Sequence, residues 1–233
     1  MSASSGKIFG IGLSKTGTTS LTRALQTLGY RSIHFPFFYL KPQRQSLQLD
    51  HRRIERWDAI TDSPVPYLYK QLDKAFPGSK FILTVRDIDQ WLNSCEFNHI
   101  WPGEYVHNKA VSRFLYVNQI LQMHHALYGS IWFDRTRFGY YYQKHIDDVM
   151  DYFSDRPDDL LIYNISGGEQ WLPLCQFLDK QVPGTQFPKE NIGKHKILKK
   201  ESRRLIWKSV SYLHLGHTIS NPYMPASMPL ESA

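Results

Sequence analysis

KIFGIGLSKTGTTSL, residues 7–21, decides how this chain folds. Residues 7–13 form a short apolar run bounded by glycine and turn residues, the pattern of a strand buried on both faces. A helix opens at the other end. Leu21, Ala24, Leu25 and Leu28 recur at i, i+3, i+4 and i+7, and Gly29 stands where a C-terminal glycine cap belongs. Between strand and helix lies GIGLSKTGTTS, residues 10–20. Glycines let the backbone approach an anion closely, and consecutive N–H groups at a helix N-terminus cradle phosphate oxygens. Thr18, Thr19 and Ser20 add hydroxyl donors, and Lys15 adds a full positive charge. The candidate phosphate loop is therefore Ser14, Lys15, Thr16, Gly17, Thr18, Thr19 and Ser20. A purely structural glycine turn is the bland alternative, and it explains neither the lysine nor the run of hydroxyls.

Working outward, residues 30–35, 59–61, 80–85 and 160–164 read as further strands. Helical patterns fall near 46–57, 65–76, from 88, 105–128, 139–154 and 169–178. A basic amphipathic helix is expected at about 195–213, after a Pro- and Gly-rich loop at 182–193. Strands alternating with helices imply a three-layer α/β fold, P-loop-like, with a mostly parallel central sheet and helical insertions. Neither a repeat nor a linker divides the chain. One domain is expected over 1–216, with a mobile tail at 217–233. Ligands of such sheets bind at the carboxyl ends of the strands.

The loop is not a Walker A sequence, GxxxxGK[ST]. Gly12 and Gly17 have that spacing, but Thr18 occupies the lysine position and Lys15 precedes the second glycine. In nucleotide kinases that lysine meets the β- and γ-phosphates beside a metal ion, so its displacement weighs against that class. The second anchor is FILTVRDIDQWLNS, residues 81–94. Arg86 ends a strand, where its guanidinium can fork two hydrogen bonds to a phosphate. Ser94 follows eight positions on, about two turns into the next helix. Asp87 reads as the cap of that helix; a Walker B magnesium ligand is the alternative.

With both anchors in view, KTGTTSL resembles the 5′-phosphosulfate loop of sulfotransferases. The segment RDIDQWLNS resembles their 3′-phosphate motif, RDPxxWxxS, with Ile88 where proline is usual. The stretches TDSPVPYLYKQLDKAFPGSKFILTVRD and LLIYNISGGEQWLPLCQFLDKQVPGTQFPKENI resemble a branch of small sulfotransferases, so the likeness covers about residues 7–193. It implies a sulfotransferase that takes its sulfuryl group from 3′-phosphoadenosine-5′-phosphosulfate and releases adenosine 3′,5′-bisphosphate. By the same resemblance Lys15 holds the bridging oxygen, Thr16, Gly17, Thr18 and Thr19 bind the 5′-phosphate, and Arg86 with Ser94 binds the 3′-phosphate. A sulfuryl group carries less negative charge than a phosphoryl group in transfer, so amides and one lysine suffice without a metal. A nucleotide kinase and a non-catalytic nucleotide-binding protein stay open as alternatives.

An acceptor hydroxyl needs a base. Asp62, at a strand end, resembles in its position the base of cytosolic sulfotransferases, which usually have histidine there; capping the next helix is its other reading. His34, at the end of the second strand, is the rival. The formal charge of +7 favours anionic partners. No nucleic-acid motif accompanies it. No apolar run approaches the roughly 18–20 residues of a membrane span. Cys95 and Cys175 form no framework and no CxxC, and the pairs His124-His125 and His214 with His217 have no carboxylate or cysteine companions, so no metal site is expected. A cytoplasmic enzyme acting on a small-molecule acceptor, such as a natural product, fits these features. Acceptor selection is expected in the segment 95–140.

Overall fold

Short apolar strands that each lead into a helix can pair only in parallel, because the helix carries the chain back along the sheet before the next strand begins. The computed structural model describes residues 6–36, 47–97 and 117–190. Five strands occur there: β1 (Ile8–Gly10), β2 (Ser32–His34), β3 (Ala59–Thr61), β4 (Lys80–Thr84) and β5 (Leu160–Tyr163). They lie in the order β2-β3-β1-β4-β5, and every pairing is parallel. Phe9 is in register with Ile60 on one side and Phe81 on the other.

Seven helices accompany them among the described residues: α1 (Thr18–Thr27), α2 (His51–Ile54), α3 (Val65–Ala75), α4 (Ile88–Glu96), α5 (Val117–Tyr128), α6 (Arg135–Tyr152) and α7 (Trp171–Phe177). Alternation along the strands builds a core on each face of the sheet. Phe9 and Phe81 pack with Leu68, Leu72, Trp91, Phe138 and Phe153 from α3, α4, α6 and the end of α6. Ile8 and Ile82 pack on the opposite face with Leu21 and Leu25 of α1 and Trp171 and Leu174 of α7. The result is three layers, as the alternation of strands and helices predicts. No described helix is long and apolar enough to cross a membrane.

After β1 the chain moves toward the β2 edge of the sheet; after β3 it crosses past β1 to build the β5 edge. Right-handed crossovers in opposite directions put their helices on opposite faces, which opens a crevice between the ends of β1 and β4. The phosphate loop and Arg86 leave the sheet at that crevice.

Some elements differ from expectation. The helix expected at 46–57 is one turn, capped by Asp50, whose side chain accepts from Arg52 N at 3.1 Å. Lys7 Nζ donates to the carbonyls of Glu55 (3.0 Å) and Trp57 (2.7 Å) just past the C-terminus of this helix, partnering groups the helix leaves open. Helix α6 starts at Arg135 rather than 139, because Asp134 caps Arg137 N at 2.9 Å. Residues 105–116, the basic helix at 195–213 and the tail at 217–233 lie outside the described residues.

Gly12, two residues past β1, passes close against Thr84 at the end of β4. A Cβ there would overlap the Thr84 hydroxyl and press on the Thr84 main chain. Both chains are held by sheet hydrogen bonds, including Ile11 N to Ile82 O at 2.8 Å, and have little room to part. Gly12→Ala is expected to cost about 2 kcal/mol or more by overpacking, a fall in Tm of roughly 4–8 °C for a chain of this size. Scanning calorimetry checks it; an unchanged Tm would mean that the loop yields freely.

Candidate active site

The loop between β1 and α1 owes its shape to two left-handed residues, Lys15 (φ 78°) and Gly17 (φ 106°). Gly17 is the N-cap of α1 and has no side chain with which to cap it. The first-turn amides of α1 are therefore left for an anion, at the positive end of the helix dipole. Not every hydroxyl of the loop faces that space. Thr16 is buried, donates from Oγ1 to Leu13 O at 2.7 Å and meets Thr84 Oγ1 at 2.6 Å, so its side chain ties the loop to β4. Ser20 Oγ accepts from Glu190 N at 3.0 Å and anchors the loop that follows α7. Thr18 and Thr19 turn the other way, each with Oγ1 3.3 Å from His34 Nε2.

Arg86 leaves β4 directly opposite. Its Nη1 points to Lys15 O at a long 3.5 Å. Its Nε is buried and meets no acceptor among the described residues. The Tyr142 hydroxyl clamps the Arg86 main chain, accepting from N at 2.8 Å and donating to O at 2.7 Å. Asp87 caps α4 by accepting from Gln90 N at 3.0 Å, which is the capping reading of that residue. Ser94 sits half-buried in the second turn of α4. Trp91, one turn before it, is buried and donates from Nε1 to Ser14 O at 2.9 Å.

Asp62 and His34 meet beside this crevice. They end the neighbouring strands β3 and β2, and His34 is in register with Thr61. Asp62 takes a left-handed conformation (φ 67°) that turns it back toward the loop. Its Oδ2 lies 3.0 Å from His34 Nε2, while Oδ1 accepts from Ser14 Oγ and from Ser63 N, both at 2.8 Å. Asp62 does not cap α3, whose N-cap is Pro64. Burial alone would push the Asp62 carboxyl up. The His34 hydrogen bond and charge, the Ser63 amide and the Ser14 hydroxyl together outweigh it and hold the carboxyl below the ordinary carboxylate range. The site thus contains a buried carboxylate kept ionised and a partly exposed imidazole bound to it.

Sequence reasoning missed three residues here. For Trp91 and Tyr142, nothing in a linear pattern shows that an indole N–H reaches Ser14 or that a phenol brackets Arg86. The third is His124 on α5, stacked on Tyr128 with ring centroids 5.2 Å apart. Burial brings its pKa down to about 4, against the attraction of Asp62. Tyr128 in turn packs beside Ser14. Among the described residues no three His, Cys, Asp or Glu side chains gather where they could hold a metal ion.

A parallel sheet with a glycine-rich loop between its central strand and a helix N-terminus, and an arginine at the end of the adjacent strand, defines a P-loop-like α/β protein. The chain belongs to the sulfotransferase family, since residues 7–195 match the family model described as "Sulfotransferase domain". It is similar to "Ava biosynthesis cluster protein M" of Aspergillus versicolor, at 27% identity over 211 residues, covering 78% of this chain and 79% of that one. It is also similar to the crystal structure of a sulfotransferase from Alicyclobacillus acidocaldarius. That match has a TM-score of 0.48 and 14% identity, and covers 88% of this chain and 92% of that chain.

The depressed His124 pKa makes stability depend on pH. The unfolded chain takes up a proton at this residue near 6.5, whereas the folded chain refuses it until about 4. Stability therefore falls as pH drops from about 6.5, and the loss is complete below about 4. His124→Gln removes that share. Urea midpoints at pH 7 and pH 5 should fall further in wild type than in the variant; equal falls would contradict the assignment.

Proposed function

We propose that this sulfotransferase moves a sulfuryl group from 3′-phosphoadenosine-5′-phosphosulfate to a hydroxyl or amine of a small-molecule acceptor, in line and without a metal ion. The observation that carries the proposal is the convergence at one crevice of the α1 N-terminus, Lys15 and Arg86, with Arg86 Nη1 3.5 Å from Lys15 O. A nucleotide with phosphates at both the 5′ and 3′ positions presents two anions to such a pair of half-sites. The buried Nε of Arg86, which has no acceptor among the described residues, fits a phosphate acceptor, because a buried donor without a partner is costly. The loop amides and Lys15 take the 5′ end; Arg86 and Ser94 take the 3′ end.

The donor supplies the sulfuryl group and leaves as adenosine 3′,5′-bisphosphate. Lys15 places its charge at the oxygen that becomes the leaving group, which lowers the cost of charge building up there. The proton lost by the acceptor goes to the Asp62–His34 pair, whose members have different roles. The Asp62 carboxylate already accepts from Ser14, Ser63 and His34, and its depressed pKa makes it a weak base. His34, with 31% of its side chain exposed against 8% for Asp62, is the member an acceptor can reach. With the Nε2 proton directed at Asp62, Nδ1 is the nitrogen that accepts, and the carboxylate stabilises the imidazolium that forms.

The name of the Aspergillus versicolor relative places that protein in a biosynthesis cluster, which supports a natural product as acceptor here. We place the activity in the cytoplasm, where the buried thiols Cys95 and Cys175 stay reduced.

Calorimetric titration without magnesium tests the donor assignment. Adenosine 3′,5′-bisphosphate should bind at least roughly tenfold tighter than adenosine 5′-phosphate, the scale of one charge-assisted contact. Arg86→Ala should abolish that difference, and Lys15→Ala should reduce turnover more than product binding. A preference for ATP with magnesium would overturn the proposal in favour of a kinase. For the base, Asp62→Asn and His34→Ala should each leave bisphosphate affinity within about threefold and slow turnover by roughly 10²–10⁴, the usual contribution of a positioned base. The double variant should be little slower than either single one, since the two act as a unit. Wild-type turnover in both single variants would remove the pair from the mechanism.

A further inference from the structure

The two half-sites are built on different elements, the loop after β1 and the residues after β4, and a buried aromatic pair joins them. Trp91 on α4 and Tyr142 on α6 stack with ring centroids 4.3 Å apart and planes inclined by 27°. Both are almost wholly buried, at 0% and 3% exposure. Each carries one polar group, and the two polar groups serve opposite halves of the crevice. Trp91 Nε1 donates to Ser14 O at 2.9 Å, on the peptide unit leading into Lys15. The Tyr142 hydroxyl brackets the main chain of Arg86 with bonds of 2.8 and 2.7 Å.

Both points of attachment lie just past the end of a sheet strand, β1 on one side and β4 on the other. Lys15 has a φ of 78°, a left-handed conformation that a non-glycine residue keeps only when its surroundings impose it. Arg86 lies past the last residue of β4, where the ladder has ended. We infer that the Trp91–Tyr142 stack is a positioning device that sets the distance between the two phosphate-binding halves, so that one ligand bearing both phosphates meets both at once. The inference rests on the donor assignment made above. A nucleotide is short and its ribose is stiff, so its two phosphates stand at a nearly set separation. A site whose halves hold that separation beforehand binds the doubly phosphorylated ligand with less ordering on association. A ligand that touches only one half gains nothing from the spacing.

That asymmetry provides the test. Trp91→Phe removes the indole donor and retains an aromatic ring; Tyr142→Phe removes only the hydroxyl and leaves the stack in place. Titration calorimetry of wild type, both single variants and the double variant uses adenosine 3′,5′-bisphosphate, adenosine 5′-phosphate and adenosine 3′-phosphate. Each single variant should bind the bisphosphate about tenfold more weakly and each monophosphate within about threefold of wild type. The double variant should lose little more than the weaker single one, because either substitution breaks the same tie. Loss of packing alone would weaken all three ligands alike or none, and either result overturns the inference. Should Trp91→Phe fail to fold, the ligand-dependence of Tyr142→Phe decides alone. If wild-type protein gains nothing from the 3′-phosphate, the donor assignment itself falls and the inference with it. A gain present in wild type and undiminished in Tyr142→Phe overturns the inference and leaves the donor assignment standing.

Discussion

At Gly12 the chain leaving β1 passes β4 with only a hydrogen atom where a side chain would stand, and the site depends on that close passage. Ile11 N bonds to Ile82 O on one side of this glycine. On the other side, the Thr16 hydroxyl meets Thr84. The loop after β1 is therefore held to the strand that leads to Arg86, and Lys15 and Arg86 sit at the same crevice. Parallel order makes the crevice possible, since crossovers running in opposite directions leave the space between β1 and β4 uncovered by their helices. Polar side chains of the loop serve this attachment as much as they serve a ligand: Thr16 binds β4, and Ser20 holds the chain at Glu190.

Beside the crevice the electrostatics turn on Asp62. A carboxylate this buried would ordinarily take up a proton, since desolvation disfavours its charge. Here four sources oppose that: the hydrogen bond from His34, its positive charge, the Ser63 amide and the Ser14 hydroxyl. Ser14 is also where Trp91 attaches through the carbonyl, so the Asp62–His34 pair and the loop after β1 share one residue.

Helices α4, α5 and α6 do more than cover one face of the sheet. Trp91, Tyr128, Phe138 and Tyr142 form a continuous buried aromatic cluster between α4, α5 and α6. Its polar atoms reach Ser14 and Arg86, which makes the insertion part of the architecture of the site. Family membership fits this arrangement, because the matched region, residues 7–195, includes the strands, the loop and all of these helices.

The run of strands and helices, the glycine-rich loop that joins β1 to α1 and the place of Arg86 just past β4 were legible in the sequence. They rest on local physics: apolar runs of strand length, helical spacing from Leu21 to Leu28, and glycines next to a lysine. The Asp87 cap was legible for the same reason, since a cap acts over three residues. The strand order was not, nor were the inward turn of the Thr16 and Ser20 hydroxyls, the neutral His124, or the hydrogen-bonded pairing of Asp62 with His34. Those depend on contacts between residues far apart in the chain, such as Asp62 with Ser14 and Tyr142 with Arg86, separated by 48 and 56 positions. By itself the sequence determined which segments become strands and helices and which glycine-rich loop joins the first strand to the first helix. The tertiary structure decided which side chains face that loop, because hydrogen-bond partners and desolvation exist only once the distant segments have packed together.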